Sequence, residues 1–217
     1  MNQQSKDYMK SSSNPTVIKI GILSLPNTQS HGAALQLYAL YYTLVKLGCY
    51  VEVINYCSHD GIEHYKSNTS LPKRVVDICK KTFVSFFIKS PKSAFRKFEK
   101  QIVKYPAKTI STDEELSTLS DRYDRFIVGS DQVWNPFITG STLGFFLDFV
   151  KDNNKKAAYA PSFGTDKVDS EKKDKIANLL KEFQYLSVRE KKGAEIIKEL
   201  TGLDVPVVLD PTFLVCR

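Results

Sequence analysis

VIKIGILSL, residues 17–25, decides the fold: β-branched and aliphatic side chains fill it almost without a break, and Pro26 and Asn27 end it. A near-continuous apolar run of this length reads as a strand covered on both faces, the habit of parallel sheets. Residues 33–47 carry a helical apolar pattern that Gly48 stops, and YVEVINY at 50–56 is a second strand. Working outward, Thr112 followed by three acids opens a short helix, and DRFIVG at 124–129 is the next strand. KAAYAPS at 156–162 is a further strand, 170–183 a helix, 185–189 a strand, 191–201 a helix ending at Gly202, and 205–209 a closing strand. Strands alternating with helices predict an α/β fold, a Rossmann-like doubly wound parallel sheet over residues 17–217.

The chain has 217 residues, of which 42% are hydrophobic and 25% charged, the composition of a globular protein and not of a disordered or collagen-like one. The apolar stretch at 33–48 is interrupted by Gln36, Thr43 and Lys46, so no membrane span is predicted. Residues 1–16 are polar and lack the apolar core of a signal peptide; they predict a disordered leader and a cytoplasmic protein. Cys49, Cys57, Cys79 and Cys216 form no CxxC pair, and His31, His59 and His64 have no metal-ligand spacing. A zinc site and a disulfide framework are therefore not expected, and the thiols read as reduced, small hydrophobes.

The net charge of +7 is concentrated. Between Asp60 and Lys108, twelve Lys and Arg face four acids, an imbalance larger than that of the whole chain. Val75, Ile78, Cys79, Phe83 and Phe86 recur at helical spacing with Lys73, Lys80, Lys81 and Lys89 between them, and a second such pattern follows Pro91. This predicts a basic helical insertion at about 60–108. Its cationic face is either solvated surface or, across 73–104, a peripheral contact with an anionic membrane at the inner face. Nucleic acid is not the expected partner, because no zinc finger, helix-turn-helix or RNP-like motif accompanies the charge.

In open α/β sheets ligands bind beyond the carboxyl ends of the strands, where the strand order reverses. For the order 3-2-1-4 that point lies between the first strand and the strand at 124–129, and the loops leaving these two are rich in polar and aromatic groups. The first loop offers Asn27, His31, Gly32 and Gln36 at a helix N-terminus, suited to an anion or a sugar oxygen; alternatively Asn27 and Ser30 only cap the helix. The second offers Ser130, Asp131, Trp134 and Asn135. A carboxylate beside an indole suits a sugar, with stacking on C–H bonds and Asp131 accepting a hydroxyl proton; alternatively Asp131 caps a turn and Trp134 is core. Ser162 and Arg189 stand at further strand ends, the latter able to bind phosphate or carboxylate bidentately or to pair with Glu190 or Asp210.

The series NTQSHGAALQLYAL, YDRFIVGSDQVWNP, FFLDF, KKAAYAPSFG, YLSVREKKGAEIIKELTG and VPVVLDPTFL, in that order, resembles the polysaccharide pyruvyl transferase family from about Lys19 to Leu214. Where a typical first motif has Asn-Tyr-Gly, this chain has Ser30-His31-Gly32. The resemblance implies one half of a two-domain GT-B-like architecture, with the C-terminal domain absent from this chain. It also implies transfer of pyruvate from phosphoenolpyruvate to two hydroxyls of a glycan, lipid-linked or free, as a cyclic ketal. No cofactor or metal is implied beyond that donor substrate. On this reading Asp131 is the catalytic base, Trp134 and Asn135 hold the sugar, and Asn27, His31 or Arg189 stand near the donor. A GT-B glycosyltransferase using a nucleotide sugar and a non-catalytic glycan-binding remnant are the competing readings.

Overall fold

A computed structural model describes residues 17–25, 31–57, 103–104, 109–140, 142–166, 168 and 170–215. The leader at 1–16, Asn27, and the basic insertion at 60–108 apart from Val103 and Lys104 lie outside the described residues.

The predicted alternation is present. Strand β1 (Lys19–Leu23) leads to helix α1 (His31–Lys46) and strand β2 (Tyr50–Ile54). Helix α2 (Asp113–Ser117) starts at the predicted cap: Thr112 Oγ1 accepts the Glu115 N–H at 3.2 Å, while Glu115 Oε2 accepts that of Ser111 at 2.9 Å. Strand β3 (Arg125–Val128) and the short helix α3 (Pro136–Thr139) follow, then β4 (Lys156–Ala158), α4 (Lys173–Lys181), β5 (Tyr185–Leu186) and α5 (Lys191–Thr201). Helix α3 and the 3-10 turn Gly144–Phe146 were not expected from periodicity, which needs more than one turn to show itself.

All pairings are parallel, in the order β2-β1-β3-β4-β5. Among the described residues no named strand lies outside β2, where the Val53 N–H donates to the Lys104 carbonyl at 2.9 Å and Tyr56 bridges to Ile110, so the order begins at β2 instead of at a third strand beyond it. The chain instead returns past β1 and pairs on its other side, with Leu23 level with Val128. The reversal therefore still falls between β1 and β3. The expected closing strand is a single bridge, Val188 to Val207, and the expected strand at 156–162 stops at Ala158, resuming only as a bridge between Asp131 and Pro161.

Period-two alternation sends side chains to two cores. Ile20, Ile22, Val51 and Val53 pack with Leu37 and Leu40 of α1 on one face. Leu23, Ile54, Phe126 and Val128 pack with Leu180 of α4 and Ile196 and Ile197 of α5 on the other. Helices thus cover both faces, as a doubly wound parallel sheet requires. Two charges are buried within this frame. Glu52 accepts hydrogen bonds from Tyr123 Oη (2.9 Å), Arg122 Nη2 (2.9 Å) and Tyr50 Oη (3.1 Å), and Lys156 pairs with Glu182. Cys49 and Cys57 are half-buried free thiols, the latter made less acidic by burial.

Candidate functional site

The carboxyl ends of β1 and β3 lie side by side, and a chain of hydrogen bonds ties them together. Gln36 Nε2 of α1 donates to Ser24 Oγ at 3.2 Å, and Ser24 Oγ donates to the Ser130 carbonyl at 3.2 Å. Ser130 Oγ then donates to Asp210 Oδ2 at 2.8 Å, and the Arg189 guanidinium stands 3.6 Å from the same oxygen. Residues far apart in sequence, from β1, α1, β3, β5 and the C-terminal segment, meet at one edge of the sheet. His31 and Gly32 are exposed in the first turn of α1, at the same edge.

Asp131 is the sharpest feature of this edge. Its φ of 144° lies in a region that non-glycine residues rarely enter, at a cost of order 1–3 kcal/mol that the surroundings must hold in place. They do so through the bridge to Pro161: the Ser162 N–H donates to the Asp131 carbonyl at 2.8 Å, and the Gln132 N–H donates to Asp131 Oδ1 at 2.8 Å. Burial raises the proton affinity of the Asp131 carboxyl and the charge of Asp210 adds to the rise, while the Gln132 N–H and Arg189 oppose it. A carboxylate of raised proton affinity is a stronger general base than an ordinary surface aspartate.

Arg189 is flanked by carboxylates, with Nε 3.6 Å from Glu190 Oε2 and Nη1 3.6 Å from Asp210 Oδ2. Arg189 therefore pairs with both Glu190 and Asp210, and its side chain remains 31% exposed. Among the described residues, no group of three His, Cys, Asp or Glu is arranged to hold a metal.

Several expected ligand contacts prove to be internal. Trp134 is 2% exposed: its indole stacks on Phe146 (5.3 Å, 7° between planes), tilts against Phe163 at 5.1 Å, meets Phe183 at 6.3 Å, and donates Nε1–H to the Phe145 carbonyl at 2.9 Å. No face is left for a pyranose, so the sugar-stacking role expected for Trp134 is corrected to a core role. The indole edge reaches only a crevice of about 20 Å³ between Pro136 and Ile176, room for one water and not for a sugar ring. Asn135 likewise turns inward, capping α3 by accepting the Phe137 N–H at 3.0 Å and donating to Gln132 Oε1 at 2.8 Å. Ser162 Oγ donates to Glu190 Oε1 at 2.5 Å and accepts the Gly164 N–H at 2.9 Å. Gln36, Ser130 and Ser162 are buried, so they brace the strand ends from behind.

Ser24 is the residue that reasoning from sequence passed over; Glu190 and Asp210 stood at strand ends it marked, as possible partners of Arg189. Each of the three sits at a strand end or just past one, and position relative to the carboxyl edge of the sheet was the signal available for finding Ser24 as well.

The family model for polysaccharide pyruvyl transferase matches residues 31–217. Neither a curated protein nor a solved structure matches the chain.

Proposed function

From its membership of the polysaccharide pyruvyl transferase family, we propose that this chain provides the acceptor-activating wall of a site that moves pyruvate from phosphoenolpyruvate onto a glycan sugar as a cyclic ketal. The observation carrying the proposal is Asp131: a strained, half-buried carboxylate with raised proton affinity, beside an arginine, at the point where the strand order reverses. The methylene carbon of the donor takes a proton from an acid outside the described residues, and the phosphate-bearing carbon becomes oxocarbenium-like. A sugar hydroxyl attacks that carbon as Asp131 takes its proton. Phosphate leaves with the proton that Asp131 took up, and a second hydroxyl closes the ring as its proton returns to the acid. Arg189 supports the donor's carboxylate or phosphate. One guanidinium already facing two acids does not neutralise such a donor, so the reading requires further cations from outside the described residues.

The test is phosphate release from phosphoenolpyruvate with a panel of glycans, together with a mass gain on the acceptor matching a pyruvate ketal. Asp131→Asn is expected to lower turnover by about 10²- to 10⁴-fold, the usual range for a general base. Unchanged turnover in that variant, or calorimetric binding of nucleotide sugars in place of phosphoenolpyruvate, would overturn the proposal. The basic segment at 73–104 supports an acceptor presented at an anionic membrane surface. Liposome flotation with anionic lipid, before and after replacing Lys80, Lys81 and Lys89 with Glu, tests that part separately.

A further inference from the structure

Asp210 occupies the C-terminal end of an extended segment that pairs beside β5: the Val188 N–H donates to the Pro206 carbonyl at 3.1 Å, and the Val208 N–H donates to the Val188 carbonyl at 2.9 Å. The residue then caps the 3-10 turn Pro211–Leu214. Its two carboxylate oxygens are divided between two tasks. Oδ1 accepts the Thr212 N–H at 3.0 Å and the Thr212 hydroxyl at 2.9 Å, and so is aimed by the turn. With that oxygen held, Oδ2 faces Ser130 Oγ at 2.8 Å and Arg189 Nη1 at 3.6 Å. Because Pro211 is buried and the turn packs against α1, the carboxylate is held by the frame of the domain and not by a mobile tail.

We propose that Asp210 is the positioning residue of this site, fixing Ser130 and Arg189 relative to each other and thereby setting how the neighbouring Asp131 carboxylate is presented. The proposal rests on the reading of Asp131 and Arg189 as the working groups. Ser130 precedes Asp131 directly, so a bond to its hydroxyl steadies the backbone at the strained residue. Arg189, held by Asp210 on one side and Glu190 on the other, is kept from collapsing onto Asp131 as a tight ion pair, which would leave the carboxylate a weak base. The charged groups acting on Asp131 are Arg189 and Asp210, with Glu190 beyond the arginine; Tyr159 in turn senses the charge of Asp210.

Capping and positioning separate cleanly by substitution. Asp210→Asn keeps an acceptor for the Thr212 N–H, since Asn caps as well as Asp, but removes the charge from Arg189. Asp210→Ser is a second variant with a competent cap and no charge. The experiment is a carbon-13 titration of the Asp131 side-chain carboxyl in the full chain, assigned with Asp131→Asn, alongside thermal melts and amide spectra. The expected result is a fall in the Asp131 titration midpoint of about half a pH unit or more in both variants, as the negative neighbour is lost and the arginine is released to it. A midpoint unchanged from the wild type in whichever variant melts normally would overturn the proposal and leave Asp210 as a turn cap. The measurement uses neither donor nor acceptor, so its failure is distinct from a failure of pyruvyl transfer.

Discussion

Trp134→Ala separates a core tryptophan from a carbohydrate platform, because the two roles predict opposite stabilities. A buried aromatic side chain removes about 150–250 Å² from water, and at about 25 cal/mol per Å² the indole accounts for roughly 5 kcal/mol. Truncation series for buried Trp and Phe give about 3–5 kcal/mol, which agrees. The variant also leaves the Phe145 carbonyl without its 2.9 Å donor, a further penalty of the order of 1–3 kcal/mol that solvent entering the cavity offsets in part. A loss of about 5 kcal/mol corresponds to a fall in Tm of about 10–20 °C for a chain of this size. Urea unfolding should be followed by far-UV circular dichroism, because Trp134 is the sole tryptophan and its emission disappears with it. Trp134→Phe keeps the stacking on Phe146 but loses the indole N–H, and is expected to cost about 1–3 kcal/mol. If Trp134→Ala changed stability by less than about 0.5 kcal/mol, as surface substitutions do, the indole would be solvent-facing and the packing described here would be wrong.

Gly164 has φ +59°, and a Cβ there would enter the Gln132 side chain, so Gly164→Ala should cost about 1–3 kcal/mol and disturb the Asn135 cap; differential scanning calorimetry gives the value. Because folding raises the proton affinity of Asp131, its contribution to stability is fully present below the unfolded carboxylate range and is lost as pH rises through the folded midpoint. Asp131→Asn is therefore expected to be more stable than wild type at pH 7, with the gap closing in acid, as read from urea midpoints across pH. Glu52 is opposite in sign. Burial raises its midpoint, but the bonds from Tyr123, Tyr50 and Arg122 outweigh that and hold it below the ordinary carboxylate range. Glu52→Gln should cost about 1.5–3 kcal/mol at pH 7, and its difference from wild type should fade only as pH falls through the depressed folded midpoint.

Much of the candidate site was legible because strand ends can be read from a sequence. The run at 17–25 and DRFIVG at 124–129 located β1 and β3, and the parallel-sheet rule then selected the residues just beyond them, Asp131 among them. What that rule does not supply is the direction of each side chain. Trp134 and Asn135 lie three and four residues past Asp131, yet both turn inward, because the indole finds its acceptor at Phe145 and the amide finds the N-terminus of α3.

The alternation of apolar runs and helical periods was sufficient for a parallel α/β sheet, since periodicity reflects burial on one or both faces and burial is imposed locally. The order of motifs was sufficient for the family. Tertiary structure alone decided which polar groups meet. Asp210 reaches Ser130 across eighty positions, and Asp131 enters a φ region that nothing in Gly129-Ser130-Asp131 foretells. Such contacts depend on where whole elements are brought by packing, and a carboxylate looks the same in sequence whether it caps a turn, holds an arginine or stands poised as a base.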